Sequence, residues 1–398
     1  MRFVTAAVAF IGCLMMVAAP TPAAALSGRP DDYVSAGRKV THPRPVHRPL
    51  RRAASPKLTA KSPPPPLLWS FTGGNGFNGG LAVGSDTVFA GDNSRFYAFD
   101  ALTGVVRWNT TTSGLWSAPA EHDGVVYWAS TSVNVHANTA RMGSPLWSTS
   151  VGGVQGGALA YYNGTVLVPS KTGLLCLDKV TGQTRWSVTT TGELTGQRPA
   201  VQNGNVIVAD NSGNVYAVNF GTGATAWTAA GYGDIDASLT VGGGRVYLAG
   251  FSVPNVTAFD ATTGAVVWTF AQSYDIDAGV TYQNEVVYFG NNGGVIQAFS
   301  AATGSALWST NLPTAGSMWA SPVVDTAQGM LYVAANGNPA TVYAVTLTTG
   351  SLQWSYALTG SLLGEYMGLA NGVLYVADRT STVYALQVGQ ATTTTTLP

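Results

Sequence analysis

Residues 258–268 read AFDATTGAVVW, and this eleven-residue stretch returns along the chain. Further copies are AFDALTGVVRW at 98–108, CLDKVTGQTRW at 176–186, AVNFGTGATAW at 217–227, AFSAATGSALW at 298–308 and AVTLTTGSLQW at 344–354. A more divergent copy, ANTARMGSPLW, occupies 137–147. The fold therefore depends on what one copy does.

Each copy predicts a β-hairpin, because two short apolar runs flank a Thr-Gly turn signal. Glycine supplies the positive φ that a tight turn needs. The tryptophan four residues later lies on the second strand, where burial would repay its size and its indole N–H needs an acceptor. We expect each tryptophan to pack against the small first residue and the turn of a neighbouring unit.

The tryptophans recur every 39 to 46 residues, at Trp69, Trp108, Trp147, Trp186, Trp227, Trp268, Trp308 and Trp354. A period near 40 that contains only strand and turn signals has room for four short strands, which is the unit of a β-propeller blade. The sequence therefore predicts an all-β protein, an eight-bladed propeller of four-stranded antiparallel blades.

The two ends of the repeat region carry complementary half-motifs. Trp69 has no hairpin before it, and Val383 to Leu386 has no Thr-Gly-Trp after it. We expect the N-terminal strand near Trp69 to complete the last blade, which leaves no open sheet edge.

Outside the repeats the chain divides by composition. Residues 1–25 have the features of a secretory signal peptide, so we expect a secreted, extracytoplasmic protein, with an uncleaved anchor as the alternative. Residues 26–66 predict a basic, proline-rich disordered linker that acts as a spacer or a cationic tether. The propeller is expected over 67–388 and a threonine-rich disordered tail over 389–398.

The net charge of zero hides a split between linker and propeller. Residues 27–68 hold nine basic and two acidic residues, whereas the chain from Trp69 onward holds nine basic and seventeen acidic residues. A mildly acidic propeller argues against a nucleic-acid partner. Cys13 lies in the predicted leader, which leaves Cys176 as the one thiol of the mature chain, and we interpret it as a buried packing residue.

The pattern Ala-x-Asp-x-x-Thr-Gly-x-x-x-Trp resembles the tryptophan-docking motif of propellers with pyrroloquinoline quinone (PQQ)-like repeats. That family includes quinoprotein alcohol dehydrogenases and the lipoprotein subunit of the outer-membrane barrel assembly machine. The resemblance spans Trp69 to Leu386 and implies the propeller fold without implying one function.

The chain also departs from the enzymes of that family. Those enzymes typically bind Ca²⁺ beside the quinone and place a disulfide of adjacent cysteines against it, and this chain has no such cysteine pair. PQQ and Ca²⁺ stay possible cofactors, but no catalytic residue can be carried over. The second blade departs as well, with Thr139 and Met142 in place of Asp and Thr and with Pro145 in its outer strand.

The resemblance implies that a ligand would bind where the loops into the innermost strands surround the central channel. One position per blade is expected at this channel mouth: Asn78, Trp116, Gln155, Gly196, Asp236, Asp277, Trp319 and Tyr366. Of these we predict all but Gly196 as ligand-binding residues, since aromatic rings there could stack on a flat ligand.

The fifth and sixth blades share the sequences YGDIDA at 232–237 and SYDIDA at 273–278. Two Asp-x-Asp pairs on adjacent loops, Asp234 with Asp236 and Asp275 with Asp277, could hold Ca²⁺ through their oxygen atoms. The alternative is that these pairs stabilise the turns of two duplicated blades.

No catalytic constellation accompanies these residues, and the histidines lack zinc-site spacing. We therefore expect a non-catalytic binding or scaffold module at the cell envelope, whose partner is an envelope protein or a polysaccharide. The alternative is a PQQ-dependent alcohol or sugar dehydrogenase with its site at the channel mouth. We expect no transmembrane span after cleavage of the leader, and a monomer.

Overall fold

A computed structural model of the chain describes residues 59–389 except 78, 116, 131–133, 155–156, 195, 197, 231–234, 236–237, 251–253, 314–315, 338, 361–365 and 379. Within these residues the chain forms eight four-stranded antiparallel sheets and no helix. The predicted leader and the greater part of the predicted linker and tail lie outside the described residues, so those boundaries stay predictions. No helix in the described part of the chain is long and apolar enough to span a bilayer.

Strand β1 (Leu67–Thr72) belongs to the last blade, and the others follow in chain order. Blade 1 contains β2 (Ala82–Val83), β3 (Thr87–Gly91), β4 (Arg95–Asp100) and β5 (Val106–Thr111). Blade 2 contains β6 (Ala120–His122), β7 (Val125–Ala129), β8 (Asn134–Thr139) and β9 (Pro145–Ser150). Blade 3 contains β10 (Ala160–Tyr162), β11 (Thr165–Ser170), β12 (Gly173–Asp178) and β13 (Thr184–Thr189). Blade 4 contains β14 (Ala200–Gln202), β15 (Asn205–Ala209), β16 (Val215–Asn219) and β17 (Thr225–Ala229).

The second half of the ring repeats this order. Blade 5 contains β18 (Thr240–Gly242), β19 (Arg245–Gly250), β20 (Asn255–Asp260) and β21 (Val266–Ala271). Blade 6 contains β22 (Thr281–Gln283), β23 (Val286–Gly290), β24 (Val295–Ser300) and β25 (Ala306–Asn311). Blade 7 contains β26 (Val323–Asp325), β27 (Met330–Ala335), β28 (Thr341–Thr346) and β29 (Leu352–Ala357). Blade 8 contains β30 (Tyr366–Ala370), β31 (Val373–Ala377) and β32 (Thr382–Gln387), with β1 as its outer strand.

The two chain ends close the ring as the half-motifs predict. Strand β1 pairs antiparallel with β32, and Trp69 lies opposite Ala385. This is the pairing that Trp268 makes with Ala258 inside blade 5. The inner strand β30 contacts both β26 and β2, so the eighth blade lies between the seventh and the first.

The indole rings join each blade to the next. Trp69 of blade 8 donates its Nε1–H to the carbonyl of Ala101 in blade 1 at 2.9 Å, and Trp227 of blade 4 donates to Ala261 in blade 5 at 3.0 Å. The same bond is made by Trp108, Trp147, Trp186, Trp268 and Trp308. Each ring thus contacts the turn of the following blade, as expected, whereas the small residue ten positions earlier is its cross-strand partner within its own blade.

Trp354 of blade 7 faces a different neighbour, because blade 8 has no hairpin turn between β32 and β1. Its cluster includes Val388, just beyond β32. Residues before β1 lie against the same strand, since the backbone N–H groups of Lys61 and Ser62 both donate to the carbonyl of Gln353 at 2.8 Å. Pro65 is buried, so the last residues before β1 pack on the propeller.

The core is divided among the interfaces between blades. Each of the eight clusters of buried apolar side chains is built mainly from residues of two neighbouring blades. Cys176 is fully buried in the cluster between blades 3 and 4, as predicted from its place in the repeat. No blade has a core of its own, so each sheet is stable only between neighbours.

The turn glycines should be sensitive to a methyl group because of the indole beside them. A Cβ on Gly264 would stand 2.6 Å from Cε3 of Trp227, at a φ of +73°. Gly204 has a φ of +76° with nothing within 4 Å of the same position. We expect Gly204→Ala to lower the free energy of unfolding by about 1 kcal/mol and Gly264→Ala to lower it by about 1–3 kcal/mol more, measured by urea denaturation. Equal losses would show that the indole contact contributes nothing.

A carboxylate stabilises several of the hairpin turns. Oδ1 of Asp100 accepts the N–H groups of Leu102 and Thr103 at 3.1 and 2.9 Å, and Oδ2 accepts Nη2 of Arg107 at 2.8 Å. Burial opposes ionisation of Asp100, but the hydrogen bonds from Arg107 and Thr103 outweigh it and lower its pKa to about 2. The charged form therefore favours the folded state.

A lowered pKa in the folded state means that the stabilisation is present above the pKa of the unfolded chain, about 4. We expect the difference in unfolding free energy between wild type and Asp100→Asn to be full at neutral pH and to disappear as the pH falls through 4 towards 2. Asn219 occupies the same turn position in blade 4 and accepts the N–H groups of Gly221 and Thr222 without a charge. Asn219→Ala should therefore show no pH dependence over that range, and an equal dependence in both variants would contradict the assignment.

Candidate functional site

The loops that enter the inner strands share one face of the ring with the turns between second and third strands. This follows because successive strands are antiparallel, so their connections alternate between the two faces. We call this side the mouth face. The Thr-Gly hairpin turns lie on the opposite face.

A buried apolar residue anchors the mouth loops between blades. Ile276 is fully buried in the cluster between blades 5 and 6, and Met318 is 1% exposed between blades 6 and 7. The corresponding anchors are Phe77, Leu115, Val154, Leu194 and Ile235. Gly290 gives space to one of them, since a Cβ there would stand 2.7 Å from Sδ of Met318.

The anchors explain the sequence pattern at the predicted mouth residues. Asp277 directly follows Ile276 and Trp319 directly follows Met318, and both predicted residues are half-buried. The shared Asp-Ile-Asp pattern of blades 5 and 6 thus places a fully buried isoleucine between two acids. The isoleucine, not the acids, fills the blade interface.

Of the other predicted channel-mouth positions, only Tyr366 and Gly196 have a described backbone. Asn78, Trp116, Gln155, Asp234 and Asp236 lie outside the described residues, so their predicted roles stay predictions. The backbone of Tyr366 begins β30 and pairs with Ala377. Gly196 adopts a φ of +70°, which is a turn conformation.

In blade 6 the mouth loop is tied to the neighbouring turn. Asp277 Oδ2 accepts Nδ2 of Asn292 at 2.9 Å, and the Asn292 N–H donates to the carbonyl of Asp275 at 2.9 Å. Asp275 itself is exposed. The two acids therefore differ in environment: Asp277 is held by an amide, and Asp275 faces solvent.

Three donors near the mouth are buried without a partner among the described residues, namely Nε1 of Trp319, Nε of Arg198 and Nε2 of Gln272. Arg198 lies in the loop that enters β14, and its backbone N–H donates to Oγ of Ser238 at 3.2 Å. Burial lowers the pKa of its guanidinium to about 10, so it remains protonated at neutral pH. Buried donors without acceptors are costly, and an acceptor from a ligand would remove that cost.

A second set of mouth-face residues was missed in the sequence analysis. Asp92, Asp210 and Asp378 are fully buried at the turns after β3, β15 and β31. Each accepts a tyrosine hydroxyl of the same blade: Tyr97 at 3.1 Å, Tyr216 at 2.8 Å and Tyr384 at 3.0 Å. We call these the turn Tyr–Asp pairs. Their signal in the sequence is an Asp after the second strand of a blade, followed five or six residues later by Tyr.

The turn Tyr–Asp pairs hold the mouth loops in place. Asp210 Oδ2 also accepts the N–H of Gly192 at 2.9 Å, which ties the preceding loop to the turn. Burial opposes ionisation of Asp210, yet hydrogen bonds from Asn214, Tyr216 and Gly192 leave its pKa below the ordinary value. These acids are saturated with donors, so they are structural and not free to bind a ligand.

The fit to PQQ and Ca²⁺ stays a prediction, because Asp234 and Asp236 of the predicted Ca²⁺ site lie outside the described residues. No group of three or more His, Cys, Asp or Glu residues suited to a metal ion occurs among them. Asp277 is already bound to Asn292. Cys176 is fully buried opposite Trp186 within blade 3.

Comparison with known proteins agrees with the repeat and the ring. A family model described as outer membrane protein assembly factor BamB matches residues 66–134, 131–253 and 252–365. The chain belongs to this family. The matched segments span nearly the whole propeller of this BamB-family protein, including the mouth loops of blades 1 to 7.

Solved structures show the same fold at low sequence identity. BamB from Moraxella catarrhalis is 20% identical with a TM-score of 0.69, and the match covers 81% of this chain and 99% of that one. The computationally designed protein Ika8 is 17% identical with a TM-score of 0.69 and the same coverage. A quinohemoprotein alcohol dehydrogenase from Pseudomonas putida HK5 is 13% identical with a TM-score of 0.62, covering 84% of this chain and 78% of that chain. No match was found among the curated proteins.

Proposed function

We propose that this BamB-family propeller is a non-catalytic binding module that works outside the cytoplasm, at the cell envelope, and holds a protein partner on its mouth face. The observation that carries the proposal is the family match over most of residues 66–365, because the family description names an outer membrane protein assembly factor. An assembly factor acts by holding other proteins. The predicted leader at 1–25 supports export.

The mouth face has the chemistry of a protein-binding surface. Trp and Arg are enriched among residues that dominate binding energy in interfaces. Trp319 and Arg198 supply both residue types, each with a buried donor that has no acceptor within the described part of the chain. Asp275 adds an exposed acid at the rim, which favours a partner with polar and basic groups around an apolar centre.

Removal of the Trp319 N–H donor tests whether the protein partner binds at the mouth face. We expect the immobilised full-length chain to capture a protein from envelope extract of its own organism, and Trp319→Phe to reduce its recovery several-fold. The phenylalanine keeps most of the ring volume but removes the N–H. Val180→Ala is the control, since Val180 is 71% exposed on a hairpin turn of the opposite face. Capture of no specific protein, or equal recovery by all three chains, would contradict the proposal.

The alternative function is a PQQ-dependent oxidoreductase with its site at the channel mouth. The half-buried acid Asp277 and the indole of Trp319 on adjacent mouth loops are the observation in its favour. The hydrogen bond from Asn292 already occupies one oxygen of Asp277, which favours the binding module instead.

Titration with PQQ and Ca²⁺ separates the two functions. We expect the purified chain to show no bound chromophore, no dye reduction with an alcohol or a sugar, and no rise in melting temperature in Ca²⁺. A chromophore that forms with wild type and is lost in an Asp236→Asn, Asp277→Asn variant would establish the alternative. Asparagine keeps an oxygen that can accept the Asn292 amide, so folding of that variant should be retained.

A further inference from the structure

A groove with a volume of about 930 Å³ lies between blades 1 and 2. One wall is the end of β5 and the residues after it, Thr110 to Ser113. The other wall is the face of blade 2 that carries Trp128, His136 and Ser148. These three residues are cross-strand neighbours on β7, β8 and β9.

At the groove, blade 2 differs from the blades that carry a turn Tyr–Asp pair. In blades 4 and 8 the residue after the second strand is Asp and the residue six positions later is Tyr, which together make a turn Tyr–Asp pair. Blade 2 has Ser130 and His136 at these two positions. Val208 and Val376 lie opposite the tyrosines, whereas the large ring of Trp128 lies opposite His136.

The rings of the groove are held as a stack. Trp128 lies between Phe96 of blade 1, with ring centroids 4.9 Å apart, and His136, with centroids 4.2 Å apart, and both pairs are within 26° of parallel. Asn138 fixes the indole, since Trp128 Nε1 donates to Asn138 Oδ1 at 2.9 Å. The aligned position in other blades is apolar, for example Phe99 and Phe259. The imidazole of His136 is therefore the last ring of a rigid stack and lines the groove.

The groove is uncharged. Among the described residues, its lining holds hydroxyl groups, amides, rings and the apolar Pro145 and Leu146, with no Asp, Glu, Lys or Arg. Burial lowers the pKa of His136, so the imidazole is neutral at neutral pH. Asn134, His136 and Asn138 alternate along β8 and therefore share one face of the strand.

This combination of groups matches a sugar more closely than it matches a lipid, an anion or a peptide strand. Flat rings pack against the C–H face of a pyranose, while hydroxyls and amides can both donate to and accept from sugar hydroxyls. Of the two outer strands beside the groove, β9 begins with Pro145, which has no N–H to offer an incoming peptide strand.

We propose that this groove binds an uncharged oligosaccharide, with one sugar ring against the imidazole of His136 and hydroxyl groups bonded along the Thr110 to Ser113 wall. The site lies at a different interface from Asp277 and Trp319. It is therefore independent of the protein partner proposed for the mouth face, and either site can fail without the other.

Isothermal titration calorimetry of the full-length chain with maltohexaose and with fully N-acetylated chitohexaose tests the proposal. We expect at least one to bind in the micromolar to millimolar range. The double variant Ser130→Asp, His136→Tyr rebuilds in blade 2 the turn Tyr–Asp pair of blades 1, 4 and 8, which fills the groove with a pair that the scaffold accommodates elsewhere. We expect the double variant to bind the oligosaccharide at least about tenfold more weakly than wild type, a loss worth about 1.4 kcal/mol. Its melting temperature should be unchanged or higher.

Two further chains make the result decisive. His136→Ala removes the terminal ring without adding volume and should also weaken binding, which covers the case in which the double variant does not fold. Trp319→Phe, at the mouth face, should bind the oligosaccharide as wild type does. Binding of neither sugar, or wild-type binding by both groove variants, would overturn the proposal, as would loss of binding in Trp319→Phe.

Discussion

The indole that reaches from one blade to the turn of the next is the interaction on which the ring depends. Each contact has two parts, a hydrogen bond such as that from Trp227 to the Ala261 carbonyl at 3.0 Å and a ring face against a glycine that has no room for a side chain. The hydrogen bond fixes direction, because the donor is a single N–H, and the ring excludes water from the turn. Since all the buried clusters lie between blades, these contacts also determine how closely two sheets pack.

The interface between blades 7 and 8 differs from the other seven. Seven indoles face a hairpin turn with Gly made within one chain segment, six of them Thr-Gly and one Met-Gly, but blade 8 takes its outer strand from before blade 1 and has no such turn. The structure compensates in two ways. Trp69 pairs with Ala385 as an ordinary member of the repeat, and the residues before β1 lie against Gln353 beside Trp354. Closure therefore uses residues 61–66, which composition alone assigns to the linker.

The sequence predicts the fold far better than it predicts the site, and the reason is repetition. The number of blades, the hairpins and the closure follow from features that the copies share. A divergent copy can therefore still be recognised by comparison with the others. Binding residues are by nature the positions at which copies differ. Asp277 and Trp319 directly follow buried anchors, but their role in binding stays a prediction, and several other predicted mouth residues lie outside the described part of the chain. The turn Tyr–Asp pairs went unnoticed because their two residues are separated by a turn, and only the fold shows that Asp210 and Tyr216 meet.

Blade 2 shows how such a scaffold can gain a site at low cost to the whole. In a ring of nearest-neighbour interfaces, a change at one interface leaves the others almost unaffected. Blade 2 lacks the Asp and Thr of the hairpin turn, and it carries Ser130 and His136 where blades 1, 4 and 8 carry a turn Tyr–Asp pair. Random decay would leave unsatisfied polar groups here. Instead Asn138 bonds the indole of Trp128 and the carbonyl of Gly143, at 2.9 Å each, and the aromatic rings form an ordered stack. A polar residue in an apolar position that accepts the hydrogen bond of its neighbour in this way indicates a rebuilt interface. Because the rebuilt interface leaves a neutral groove open, binding of a ligand in the groove explains it best.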